Sequence, residues 1–90
     1  MDVEDVFSSK LRVKILRILW QLSEANVSEI ARRLGVNHKA TVTHLKFLED
    51  KGILQHKVFG RIRLYRFNEH SSRSMAIQNF FQVWEKLDKQ

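Results

Sequence analysis

The chain has 90 residues, of which 43% are hydrophobic, and its 16 Lys and Arg outnumber its 10 Asp and Glu, for a net charge of +6. This length allows one modest core, and this hydrophobic content excludes a disordered chain. The absence of Cys excludes disulfides, thiolate metal sites and cysteine nucleophiles. No apolar run reaches the ~18 residues of a membrane span. From the length and composition together, we expect a single domain, 1–90, inside the cell.

The basic charge is concentrated in two segments of the chain. Residues 6–23 contain four Lys or Arg and no acid, and residues 52–68 have the same balance. Two acid-free basic segments on a small domain favour a polyanionic partner. Ordinary solvated surface explains them as well, so charge alone does not decide.

The first predicted helix follows Ser8 or Ser9, either of which is a good N-cap, and ends near Gln21. A turn is expected over 23–26. The apolar residues of this helix recur at helical spacing, which predicts a central core helix: Leu11, Ile15, Ile18, Leu19 and Leu22. Its basic residues, by contrast, are expected to lie on a solvated face: Arg12, Lys14 and Arg17.

Two further helices are predicted on either side of a short turn. Ser28 is the expected N-cap of a helix over 29–34. Gly35 ends that helix, because glycine adopts a positive φ without steric cost. Asn37 then caps a third helix over 38–50. Two helices joined by a turn of about three residues that contains Gly indicate a helix-turn-helix.

The rest of the chain predicts a hairpin and a last helix. Segments 53–59 and 61–67 are rich in β-branched and aromatic residues, and Gly60 between them marks the turn. A helix over 71–88 follows, and its apolar face is wider than one small domain covers easily. The order of three helices, a hairpin and a helix is that of a winged helix-turn-helix.

Four segments, in this order, resemble motifs of the arsenical-repressor (ArsR-type) family: residues 12–19, 27–36, 43–54 and 60–67. Together they span about 10–68. The resemblance implies an α+β, mostly α, winged helix-turn-helix with its core over 8–68 and a C-terminal dimerisation helix over 71–88. It also implies a homodimeric transcriptional regulator that binds double-stranded DNA. The Thr41–Val42–Thr43 stretch is closer to MarR-type regulators.

The polar face of helix 38–50 is predicted to enter the major groove, where donors and acceptors on base edges are read. The basic wing, 57–63, is predicted to meet the minor groove or the phosphate backbone. Ser28 adds a phosphate contact at a helix N-terminus. Phe47 is expected to pack beneath the hairpin. The predicted DNA-binding residues are Ser28, His38, Lys39, Thr41, Thr43, His44, Lys46, Lys57, Arg61 and Arg63.

The surplus apolar face of the last helix is predicted to pair with a second copy of the chain. Val3 and Val6 are expected to add to this interface. The alternative is that the same side chains close the core of the monomer. The predicted interface residues are Phe7, Ile77, Phe80, Phe81, Trp84 and Leu87.

No catalytic, metal or cofactor site is predicted. The resemblance implies metal sensing through a Cys pair or through ligands on the last helix; here Cys is absent, and His70, Glu85 and Asp88 are not spaced to meet. The expected location is the cytoplasm, on the nucleoid in a prokaryote, with no identified effector. Two alternatives remain: a winged helix that contacts other proteins, and a non-specific chromatin-type DNA binder.

Overall fold

The computed structural model describes residues 2–89, which form five helices and three strands. In chain order the elements are α1 (Val3–Phe7), α2 (Lys10–Leu22), β1 (Glu24–Asn26), α3 (Val27–Leu34), α4 (His38–Asp50), β2 (Leu54–Phe59), β3 (Ile62–Phe67) and α5 (Ser72–Asp88). The strands form one antiparallel sheet in the order β1-β3-β2. This is the mostly helical winged helix-turn-helix that the element order predicts. No described helix is both long and apolar enough for a membrane span.

The helix-turn-helix consists of α3 and α4, joined by Gly35, Val36 and Asn37. Gly35 has a φ of 72° in the left-handed region, which only glycine adopts cheaply. The Asn37 side chain accepts a hydrogen bond from the Ala40 N–H and caps α4. One predicted cap is wrong. The side chain of Asn26 accepts from the Glu29 N–H, so α3 begins before Ser28.

The wing is the β2–β3 hairpin, whose strands pair from Leu54 with Phe67 to Phe59 with Ile62. That register leaves a two-residue loop. Gly60, the first residue of the loop, has a φ of 60°, the arrangement of a type II′ hairpin turn. The predicted turn over 23–26 is in part the strand β1, which pairs with β3 and fastens the wing to the start of α3.

The core lies between α2, the helix-turn-helix and the sheet. Its fully buried side chains come from α2, α3, α4 and the hairpin base: Ile15, Leu16, Leu19, Ile30, Leu45, Leu48, Ile53, Leu54 and Tyr65. Phe81 of α5 and Val6 of α1 are also buried in this cluster. Both were predicted at the dimer interface. Within one chain they already have apolar partners, so they close the monomer core instead.

Candidate nucleic-acid interface

A groove of about 640 Å³ lies between α4 and the wing. The start of α3, the outer face of α4 and the tip of β3 form its walls. The lining residues are Asn26, Val27, Ser28, His38, Lys39, Val42, Thr43, Lys46, Arg61, Ile62 and Arg63. Four of them are Lys or Arg and none is acidic. Seven of the ten predicted DNA-binding residues therefore line one groove, although they come from three separate stretches of sequence.

Helix α4 presents a polar face to this groove. Lys39, Thr43 and Lys46 are exposed at a spacing of three to four residues, which places them in one row along the helix. The Thr43 hydroxyl donates to the carbonyl oxygen of Lys39, 3.0 Å away. Because a hydroxyl has a single hydrogen, Thr43 is left with lone pairs that accept and with its methyl group. It can contact a base amino group or a thymine methyl.

The wing places its basic side chains on both faces of the hairpin. Val58 pairs with Arg63, and Lys57 pairs with Leu64. Because successive side chains of a strand point to opposite faces, Arg63 shares the face of the buried Tyr65, and Lys57 lies on the other face. Lys57 is not among the residues that line the groove.

The four groove cations are free of carboxylate partners within residues 2–89, whereas several other basic residues are neutralised nearby. Glu29 is held by Arg32 and Arg33, and hydrogen bonds from both lower its pKa. Arg66 pairs with Glu69. The positive charge of the groove is therefore available to an anion in solution.

Thr41 is the clearest error among the predicted contacts. Its side chain is fully buried, and its hydroxyl donates to the Asn37 carbonyl oxygen at 2.9 Å. A fully buried side chain cannot reach a base edge, so Thr41 stabilises the first turn of α4 from within.

His44 is also displaced from the groove. It is half-buried on the side of α4 that faces α2, and its Nδ1 has no hydrogen-bond partner among the described residues. Burial lowers the pKa of His44, and the nearby Arg12 guanidinium lowers it further. His44 is not among the residues that line the groove, and its buried Nδ1 indicates a packing role against α2.

Ser28 and His38 keep their predicted places in the groove. Both are exposed at helix starts, Ser28 in the first turn of α3 and His38 as the first residue of α4. Since Asn26 caps α3, the Ser28 hydroxyl is not needed for capping and can meet a phosphate.

The wing tip has an apolar component that sequence reasoning missed. Val58, Phe59 and Ile62 are each at least half exposed. Phe59 and Ile62 are directly paired across the hairpin, so their contact with each other stabilises the tip. The alternation of Arg with Ile and Leu in β3 indicated that apolar side chains lie on one face of the hairpin. It does not indicate which of them remain exposed to solvent.

A second exposed surface, the aromatic face, lies on α5 and the end of α1. Its core is a ladder in which the Phe80 ring lies 6.0 Å from Phe7 and 5.9 Å from Trp84. Ile77 is only half-buried against the core. The exposed apolar side chains of this surface are Val3, Phe7, Met75, Phe80, Val83, Trp84 and Leu87. Four of the six predicted interface residues belong to it.

No three metal-ligating side chains come together anywhere in residues 2–89. Glu85 of α5 accepts a hydrogen bond from the Trp20 indole N–H at 2.8 Å, and this bond lowers the pKa of Glu85. The carboxylate therefore fastens α5 to α2.

Comparison with solved structures shows the same fold in several proteins. BigR, a transcriptional repressor from Xylella fastidiosa, has a TM-score of 0.77 at 19% identity, over 96% of this chain and 83% of that one. HlyU from Vibrio cholerae has a TM-score of 0.76 at 21% identity, over 89% and 84%. A homodimeric winged helix-turn-helix DNA-binding domain from Mycobacterium bovis has a TM-score of 0.74 at 24% identity, over 93% and 75%.

The two comparisons of the sequence with known proteins give different results. A search of curated protein sequences finds no match. The family profile described as "Bacterial regulatory protein, arsR family" matches residues 9–56, which is more than half of the chain and includes α2, the helix-turn-helix and the first half of β2. The chain therefore belongs to the ArsR family of bacterial regulatory proteins, DNA-binding proteins that regulate transcription.

Proposed function

We propose that the chain is a homodimeric, sequence-specific transcriptional regulator in which α4 reads the major groove of DNA. The observation that supports this most directly is the acid-free groove between α4 and the wing, with four unpaired cations in its walls. A protein that neutralises phosphates releases counterions, and this release supplies much of the affinity for DNA. In this groove, basic side chains of α4 (Lys39 and Lys46) lie opposite basic side chains of the wing (Arg61 and Arg63).

Helix α4 has the dimensions and chemistry of a recognition helix. Its 13 residues span about 20 Å, and the major groove, about 12 Å wide, admits one such helix. Lys39 and Lys46 are placed to meet phosphates or guanine. Thr43, with its hydroxyl hydrogen committed to Lys39, reads a base as an acceptor or through its methyl group. His38 and Ser28 contribute contacts at the helix starts.

The wing supplies the second contact. Arg61 lies in the two-residue loop at the tip, and Arg63 lies on the face that turns toward α4. The negative potential of a narrow minor groove attracts arginine side chains. We assign Arg61 and Arg63 to the minor groove or its adjoining phosphates, and Lys57, on the outer face, to at most a peripheral phosphate contact.

The aromatic face provides the dimer. It joins α5 to α1 and leaves Trp84 and Leu87 more than half exposed in the monomer. Burying such an apolar surface is favourable at about 25 cal/mol per Å², and a two-fold interface buries the same face twice. Two recognition helices about 34 Å apart then meet successive turns of one DNA face, which favours a palindromic site.

The alternative of a protein-contact module predicts an apolar exposed face on α4. The exposed residues of α4 are all polar: His38, Lys39, Thr43, Lys46 and Asp50. Phe47, the one aromatic residue of α4, is half-buried under Arg12. DNA therefore fits the face better than a protein does. We expect no catalytic activity and no bound cofactor.

The test is selection from a randomised duplex pool, with sequencing of the fraction bound by wild type and by two variants. Wild type is expected to enrich a palindromic motif. Thr43→Val keeps the branched apolar shape but removes the acceptor, so it is expected to relax one position in each half-site. Arg61→Ala/Arg63→Ala is expected to weaken binding to all sequences.

His44→Ala serves as the control on the same helix, because His44 faces α2 and not the groove. It is expected to keep the motif. If wild type enriches no motif although it binds duplex, the chain is a non-specific DNA binder. If wild type binds no duplex, the groove is not a DNA site at all.

A further inference from the structure

Arg12 connects three helices at one point. It belongs to α2, and its guanidinium carbon lies 3.6 Å from the centre of the Phe47 ring on α4. Its Nη1 donates to the Asp5 carbonyl oxygen of α1 at 2.7 Å. The sequence pattern predicts a solvated residue here, but the side chain is half-buried and turned across the gap between α1 and α4.

This contact differs from a surface salt bridge. The guanidinium has a ring on one side and a backbone carbonyl at its edge, and its Nε is buried. Planar stacking with a directed donor fixes the orientation of arginine in a way that lysine cannot reproduce. Arg12 therefore adds an oriented contact between α1 and α4 to the apolar packing of Val6 in the core.

Arg12 lies between the aromatic face and the groove formed by α4 and the wing. On one side α1 holds Phe7, whose ring contacts Phe80 in the aromatic face. On the other side Phe47 belongs to α4, one residue after the groove-lining Lys46. The path from one surface to the other runs through Asp5, Arg12 and Phe47 without a break in contact.

We propose that Arg12 is a positioning residue for DNA recognition: it holds α4 at a fixed place relative to α1 and thereby links the dimer surface to the recognition helix. The inference rests on the proposed function. Arg12 does not contact DNA in this arrangement, because its guanidinium is occupied by Phe47 and Asp5. Its loss shifts the recognition helix without removing a phosphate contact.

The experiment measures the affinity of the full chain for the duplex that wild type selects, at a series of salt concentrations. Arg12→Ala is expected to weaken binding about tenfold, within the range of couplings between contacting residues, with an unchanged slope of log K against log salt. Arg17→Ala is the matched control, since it removes the same charge from an exposed position of α2. Arg17→Ala is expected to change the affinity for DNA by less than about twofold, because Arg17 is an exposed charge outside the Arg12–Phe47 contact.

A second pair of variants tests the contact itself. Phe47→Leu keeps an apolar side chain but removes the ring, and it is expected to weaken binding in the same direction. The double variant is expected to bind no worse than Arg12→Ala alone, because the two residues act as one unit. Circular dichroism verifies that each variant is folded. Arg12→Lys, which keeps the charge and the stem but loses the planar group, replaces Arg12→Ala if the latter is unfolded.

A spectroscopic readout is independent of binding. The His44 imidazole lies beside Arg12, so its titration, followed by NMR, is expected to shift to higher pH in Arg12→Ala and to stay unchanged in Arg17→Ala. This difference would confirm that the Arg12 guanidinium lies beside His44 in solution, and its absence would show that Arg12 does not occupy the described position.

Three outcomes overturn the inference while the proposed function stands: Arg12→Ala binding as tightly as Arg17→Ala, additive losses in the double variant, or a slope lowered by about 1.8. The last value is that of one lost phosphate contact in each protomer of a dimer, which would make Arg12 a DNA contact. If wild type binds no duplex, the proposed function fails and the inference fails with it.

Discussion

The Nδ1 atom of His56 on β2 lies 2.5 Å from a carboxylate oxygen of Glu49 on α4, so one side-chain pair ties the wing to the recognition helix. The His56 ring also lies 5.3 Å from the buried ring of Tyr65 on β3. Both members of the pair are about 30% exposed, which makes the contact half-buried. It fixes the base of the hairpin against the last turn of α4, below the open end of the groove.

Loss of the His56–Glu49 pair is expected to reduce the affinity for DNA more than it reduces the stability of the fold. Glu49→Ala should lower the free energy of unfolding by about 0.5–1 kcal/mol, the range for a partly exposed pair, and increase amide exchange in the wing. Affinity for the selected duplex is expected to fall several-fold because the wing loses its orientation. Asp50→Ala removes the same charge from the adjacent exposed position and is the control. Equal effects of the two variants would show that only charge matters.

Salt dependence separates the two faces of the wing. Arg63→Ala is expected to lower the slope of log K against log salt by about 1.8 in a dimer, since each lost phosphate contact reduces it by about 0.9. Lys57→Ala, on the same hairpin but the outer face, is expected to change the slope by less than half of that. Fluorescence anisotropy at several salt concentrations measures both. A larger effect of Lys57→Ala would place the DNA on the other side of the wing.

The aromatic face is expected to control the oligomeric state. Trp84→Glu introduces a charge at a position that is 55% exposed in the monomer, so the fold should survive while the apolar interface is disrupted. Sedimentation should show a dimer for wild type and a monomer for the variant. DNA affinity should drop at least about tenfold, because a monomer binds each half-site independently. Gln82→Glu, an exposed polar position on α5, is the control and should remain dimeric.

The pH dependence of stability is expected to include a contribution from His44. Burial and Arg12 lower the pKa of His44 in the folded state below its ordinary value of 6.5. Between the two values the unfolded chain binds more protons, so the free energy of unfolding rises with pH there. The full contribution is present above about pH 6.5 and is lost as the pH falls toward the folded-state pKa, at no more than about 1.4 kcal/mol per pH unit.

Urea denaturation at pH values on both sides of this window measures the effect. His44→Gln should remove the contribution, whereas His38→Gln, at an exposed position, should leave it in place. A pH dependence that is identical in wild type and His44→Gln would show that the imidazole does not titrate as described.

Local signals in the sequence account for the recognition helix and its turn. Asn37 and Gly35 act on their immediate neighbours, so α4 begins and the turn forms where the sequence predicts. The wing likewise follows from Gly60 and the flanking β-branched residues. These elements form the groove between α4 and the wing, and most of its lining residues were therefore predictable.

The errors concern contacts that form between distant segments. Strand β1 has only three residues and exists because β3 pairs with it, so no local pattern announces it. Phe81 and His44 each lie near the border between the buried and the exposed face of their helix. The element that packs beside each of them determines whether its side chain is buried. Phe47, predicted beneath the hairpin, contacts Arg12 of α2 instead, a pairing that spans 35 positions of the chain.

Asn26 is both the last residue of β1 and the cap of α3, and β1 is hydrogen-bonded to β3, the central strand of the sheet and the second strand of the wing. Asn26 therefore connects the wing and the helix-turn-helix directly, and we expect this connection to hold the groove at a fixed width. In the proposed DNA complex, a duplex that contacts both α4 and the wing is expected to adjust its groove width to this opening, and such deformation costs less at flexible pyrimidine–purine steps. We therefore expect base pairs that no side chain contacts to contribute to the selected sequence.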